Sequence, residues 1–170
     1  MMTAIASIIA RTLASTTPIA LTGIGGIFGE RSGIVNIGLE GTMLFSAFAA
    51  VIGSFYTGSA WVGLLCAVTL GVLVSMLHSF LCINVKIDHN VSGLAINIAA
   101  TNMTLYMMSL LFGSKGTSPA VAKLPHVTIP LLSEIPGIGP AFREMSIFTL
   151  LVPVVMLLAY YLLYKTDFGL

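Results

Sequence analysis

The chain has 170 residues, 57% hydrophobic and 8% charged, with a mean hydropathy of +1.04, whereas soluble domains carry about 25% charged residues. A soluble globular fold is a poor fit and an integral membrane protein is expected. The net charge of +1 comes without a basic run or an aromatic-interleaved patch, which sets nucleic-acid binding aside.

Five candidate spans emerge when each crossing needs about 20 mostly apolar residues. They cover roughly residues 5–28, 41–57, 60–84, 91–113 and 147–165. The fold class is therefore an all-α, polytopic helical bundle of about five transmembrane helices. The first span is the least apolar, because Thr3, Ser7, Arg11, Ser15 and Thr22 form a polar stripe at helical spacing. No cleavable signal peptide is expected, since no lysine or arginine precedes the first apolar run.

Residues 30–41 read "ERSGIVNIGLEG". Ser32, Asn36 and Glu40 are spaced to share a helix face, but Gly33, Gly38 and Gly41 interrupt that helix, so a glycine-broken or re-entrant element is expected. Broken backbone at membrane depth persists only where protein or water satisfies its amides, as at transporter binding sites. Asn36 and Glu40 are thereby candidates for a substrate pathway. The other reading is an interfacial turn, with Glu30 and Arg31 solvated and Glu40 at the next helix N-terminus, where a carboxylate is favourable.

Membrane helices associate through small residues and interhelical hydrogen bonds. Gly25, Gly29 and Gly33 stand four apart; Thr42, Ser46, Ala50, Ser54 and Gly58 make a second stripe, and Gly63, Ala67, Gly71, Ser75 and Ser79 a third. Helix packing is expected at Gly25, Gly29, Gly33, Gly63 and Gly71. Cys66 and Cys82, roughly 24 Å apart along one continuous helix, cannot pair and are read as buried free thiols. His78 has no other ligand at metal spacing, and His89 and His126 lie in loops without a constellation, so no metal site is assigned.

In the fourth span Asn90, Asn97, Thr101 and Thr104 share a face. Asn97 either bonds a neighbouring helix or lines an aqueous path with Thr101, and both are pathway candidates. Residues 113–146 hold five of the seven prolines and form the one sizeable extramembrane segment, its apolar residues suited to packing back onto the bundle. Pro153 falls inside the fifth span, where it is expected to kink the helix. Lysine and arginine counts do not orient the chain: Arg31, Lys86 and Lys165 lie on one side, and Arg11, Lys115, Lys123 and Arg143 on the other.

No Walker-type glycine loop, HExxH, GxSxG or closely spaced acid/base pair is present, so no catalytic residue and no cofactor is assigned. The carboxylates Glu30, Glu40 and Asp88 sit near span ends, not mid-membrane as in proton-coupled carriers, so the driving energy is expected from a partner.

The runs "TPIALTGIGGIFGERSGIVNIGLEGTMLFSAFAA" (Thr17–Ala50) and "INVKIDHNVSGLAINIAATNMTLY" (Ile83–Tyr106), with "KTDFGL" at Lys165–Leu170, resemble the permease subunits of bacterial ABC importers for simple sugars and nucleosides. The resemblance is closest to the branch that uses a basic-membrane-protein-type binding lipoprotein. It implies a multi-pass protein of the bacterial inner membrane, with a pathway formed together with a second permease subunit. It further implies cytoplasmic ATP-binding subunits that hydrolyse ATP, and an external substrate-binding lipoprotein. Lys165 onward would face the cytoplasm with Arg31 and Lys86, and residues 113–146 would form an external loop. Such permeases are roughly twice as long as an array of five spans, so the chain, one transmembrane domain over residues 1–170, resembles an amino-terminal portion, by natural or experimental truncation. It ends before the family's cytoplasmic coupling helix and is not expected to transport alone. The alternative is a non-transporting membrane scaffold or truncated permease fragment. Phe28, Phe45, Phe48 and Tyr106 could stack a base, but such residues serve equally as packing and interface anchors; the substrate is left open.

Overall fold

The computed structural model describes residues 2–113, 116–127 and 145–166. Among these are five helices: α1 (Met2–Arg31), α2 (Leu39–Thr57), α3 (Ala60–Ile83), α4 (His89–Phe112) and α5 (Ile147–Lys165). Two-residue strands β1 (His126–Val127) and β2 (Met145–Ser146) pair antiparallel, His126 opposite Ser146. The described residues form two compact units. One comprises α1 as far as Phe28 with β1, β2 and α5; the other runs from Gly29 to Lys123.

The helix ends follow local chemistry. Asp88 caps α4, its carboxylate accepting from the Asn90 and Val91 amides at 2.9 and 3.3 Å, and Ser146 caps α5 through the Phe148 amide. α2 and α4 stop at Gly58 and Gly113, both left-handed (φ +67° and +68°), whose amides return to Ser54 and Ser109 carbonyls. α1 and α5 each continue through an internal proline, Pro18 and Pro153.

α2, α3, α4 and α5 are long and apolar enough to cross a membrane, at 19 to 24 residues each, about 29–36 Å of helix. α1 has 30 residues but does not fall in this group among the described residues. Large apolar side chains such as Leu65, Val72, Ile98 and Leu157 are exposed, while small or polar residues (Ser54, Ser92, Ala100, Thr104) are buried. This inversion of a soluble core suits a protein whose solvent is hydrocarbon.

In the Gly29–Lys123 unit, α2 and α3 meet along a seam of small residues. A Cβ at Gly63 would stand 2.7 Å from the Ala50 carbonyl oxygen, and one at Gly71 would stand 2.7 Å from Ser46 Oγ. α4 closes on both: Phe55 and Phe112 meet edge to face at 5.1 Å between centroids, and at the opposite ends Gly38 lies against Gly93. After α4 the chain returns to α2, where the buried Ser54 Oγ donates to the Ala122 carbonyl at 3.1 Å. In the other unit, α1 and α5 share a hydrogen bond between Thr17 and Thr149 hydroxyls at 2.9 Å.

Gly25, Gly29 and Gly33 make no helix seam among the described residues. A Cβ at Gly25 meets nothing within 4 Å, and one at Gly29 meets only the Ile34 carbonyl oxygen. Because α1 ends at Arg31, Gly33 falls outside the helix, at φ +85°. Most of the expected loop lies outside the described residues, namely 114–115 and 128–144.

Candidate functional site: the break between α1 and α2

Residues 32–38 join α1 to α2 without regular structure. The turn starts where the amides of Ser32 and Ile34 and the Ser32 hydroxyl all converge on the Gly29 carbonyl. Gly33 then takes the left-handed conformation that an L side chain adopts only at a cost. Further along, Asn36 Oδ1 accepts from the Gly38 amide at 2.9 Å, a local turn that prepares the start of α2.

α4 supplies what the broken backbone lacks. Asn97 Oδ1 accepts from the Gly41 amide at 2.7 Å, and its Nδ2 donates to the Ile37 carbonyl at 3.1 Å. One side-chain amide thus serves both a donor at the helix start and an acceptor in the break, groups that hydrocarbon would leave unsatisfied. The approach is close because glycines line it: a Cβ at Gly41 would stand 2.8 Å from both Asn97 Oδ1 and the Ile96 carbonyl oxygen, and one at Gly93 would stand 2.7 Å from the Gly38 amide nitrogen.

Of the residues marked by the sequence, Asn36 and Asn97 are thus brought to the two sides of one break. Glu40 is exposed on the first turn of α2, near the positive end of that helix. Thr101 is exposed one turn beyond Asn97, and its hydroxyl donates to the Asn97 carbonyl. The polar face expected on α4 divides in space: Thr104 is buried, Asn97 half-buried, and Asn90 and Thr101 exposed.

Two polar contacts had no sequence signal of their own. His78, 2% exposed, places Nδ1 2.9 Å from Ser92 Oγ and so links α3 to α4, with Cys82 Sγ 3.8 Å from its Nε2. His89, expected in a loop, is instead the first residue of α4, and its Nδ1 accepts from the Val35 amide at 3.3 Å. The Asp88 cap is what brings His89 inside the helix. The presence of Ser92 in the same "VSGLAIN" run as Asn97 was the one available hint.

A separate open recess of about 460 Å³ between α2 and α3 is lined by Phe48, Ile52, Leu65, Cys66, Leu70 and Leu73 among others. Its one hydroxyl, on Thr69, is committed to the Leu65 carbonyl. Such a wall suits hydrocarbon and offers a polar solute no convergent groups.

The model of a protein family described as the permease component of branched-chain amino acid transport systems matches residues 8–170. The guanosine ABC transporter permease protein NupQ of Bacillus subtilis is 36% identical to the chain, over 96% of this chain and 53% of that one. The nucleoside ABC transporter permease protein NupC of Lactococcus lactis is 38% identical, over 96% and 53%. A putative glucose ABC transporter permease protein of Haloferax volcanii is 28% identical, over 97% and 50%. The chain spans about half the length of these curated relatives. No solved structure matches it. Since the match runs from the first turns of α1 through the break and the clamp on α4 to the end of α5, the chain belongs to this family of transport-system permease components.

Proposed function

We propose that the chain is an amino-terminal portion of a permease subunit that forms the translocation pathway of an ATP-driven ABC importer for nucleosides. The observation that carries this reading is the identity of 36% and 38%, over 96% of the chain, with two permeases named for guanosine and nucleosides. The relative named for glucose stands at 28%. In this reading the permease is not itself an enzyme. A second permease subunit completes the pathway, cytoplasmic ATP-binding subunits hydrolyse ATP, and an external binding lipoprotein delivers the substrate to a multi-pass protein of the bacterial inner membrane. Lys165 lies on the cytoplasmic side with Arg31 and Lys86, and residues 113–146 are external.

The break bears on the pathway. Nucleosides are neutral and polar, so their passage calls for hydrogen-bond donors and acceptors. The side-chain amides of Asn36 and Asn97 offer both, and their bonds to the break fix their orientation. Glu40, on the first turn of α2, and Thr101, one turn beyond Asn97, are exposed and complete the proposed wall.

The test is a competition assay in vesicles containing the full-length permease with its partners. Excess unlabelled nucleosides are expected to suppress uptake of labelled guanosine, while glucose and leucine leave it unchanged. Uptake of labelled leucine with none of labelled guanosine would return the substrate to the branched-chain amino acids of the family's description. Stable self-association with no uptake of any of these would favour the scaffold reading.

A further inference from the structure

The break is held unevenly along its length. Its α2 side is fixed by the two Asn97 bonds at 2.7 and 3.1 Å and by close backbone contact between Gly38 and Gly93, where a Cβ at Gly93 would stand 2.7 Å from the Gly38 amide nitrogen. Its α1 side is different. Ser32, Gly33 and Val35 are exposed, and Gly33 is the left-handed residue about which the chain turns. A hydrogen bond ties this half to another helix: the Val35 amide donates to His89 Nδ1 at 3.3 Å. The Val35 amide is thus held by a histidine from the first turn of α4.

We propose that His89 is a positioning residue for transport, a latch that holds the α1 half of the break against α4 by accepting the Val35 amide. The inference rests on the transport reading above. The chemistry it requires at position 89 is narrow: an acceptor attached to Cγ, pointing back from the first turn of α4. Asparagine meets this requirement, because its Oδ1 is bonded to Cγ as Nδ1 is in histidine. Alanine does not. His78 cannot replace the latch, since its Nδ1 is engaged with Ser92 and it is enclosed between α3 and α4.

The test compares wild type, His89→Ala and His89→Asn in the full-length permease assembled with its ATP-binding subunits. Two readouts are taken: hydrogen–deuterium exchange in the peptide covering residues 30–38, and labelled guanosine uptake. His89→Ala is expected to speed exchange there by roughly threefold to tenfold, the span of one net hydrogen bond, and to lower uptake, while His89→Asn restores both. Unchanged exchange in His89→Ala overturns the latch, whatever transport does. Faster exchange with unchanged uptake overturns the positioning role. Failure of His89→Asn to restore exchange, with the protein folded, overturns the acceptor as its cause. A wild-type permease that takes up no nucleoside contradicts the proposed function and, with it, the positioning role; the exchange rates then still decide whether the Val35–His89 bond exists.

Discussion

At the scale of single residues, the polar atoms of Asn97 do the most. Its side-chain amide answers one donor and one acceptor of the break, and leaving two such groups unpaired costs about 1–3 kcal/mol for each. Asn97→Ala is therefore expected to lower the stability of the detergent-solubilised permease by at least about 2 kcal/mol, read as the midpoint of thermal unfolding. Asn97→Asp keeps the acceptor for Gly41 but loses the donor to Ile37, and should fall between the two. A loss under about 0.5 kcal/mol in Asn97→Ala would mean the amide is replaceable by water and the clamp is not structural. Lys86, in the turn between α3 and α4, is the one described non-glycine residue at positive φ, +60°. A left-handed L-residue costs about 1–2 kcal/mol and glycine's added freedom offsets part of that, so Lys86→Gly should raise stability by about 0.5 kcal/mol. Asn97 was legible in the sequence because an amide deep in an apolar span demands a partner. The latch at His89 was not, because its partner Val35 lies 54 positions away and the register between the break and α4 is written in no local pattern.

At the scale of elements, the seams decide. Gly63 and Gly71 sit where a Cβ would strike α2, so Gly63→Ala must push the helices apart and is expected to cost about 1–3 kcal/mol. Gly25→Ala, whose added methyl meets open space, should instead be neutral or stabilising by up to about 1 kcal/mol, from helix propensity alone. Equal effects of the two substitutions on thermal unfolding would remove the distinction between seam and surface. The sequence alone placed the ends of α2 to α5 within two residues, because caps and apolar length mark them plainly: 41–57 against Leu39–Thr57, and 147–165 against Ile147–Lys165. It marked Gly25, Gly29 and Gly33 by the same spacing as Gly63 and Gly71, which face α2. Spacing is a property of one helix, whereas a seam needs a second helix opposite it, and α1 stops before Gly33.

At the scale of the whole molecule, the inverted exposure of Leu157 at 70% and His78 at 2% marks a protein built for a bilayer. The motif that breaks the polypeptide between α1 and α2 also carries the family resemblance, which is why family and break were legible together. The substrate was less so. The family's description names branched-chain amino acids, while the relatives at 36% and 38% identity are named for guanosine and nucleosides. Which solute passes turns on side chains that neither composition nor helix spacing singles out in the sequence. The proposed function places this chain within an ATP-driven nucleoside permease. Its most direct test is uptake of labelled guanosine by vesicles containing the full-length permease, its ATP-binding subunits and its binding lipoprotein. The account predicts accumulation that requires ATP and vanishes when the ATP-binding subunits cannot hydrolyse it. Guanosine accumulation that persists without ATP hydrolysis, or none under any condition with the complex intact, contradicts it.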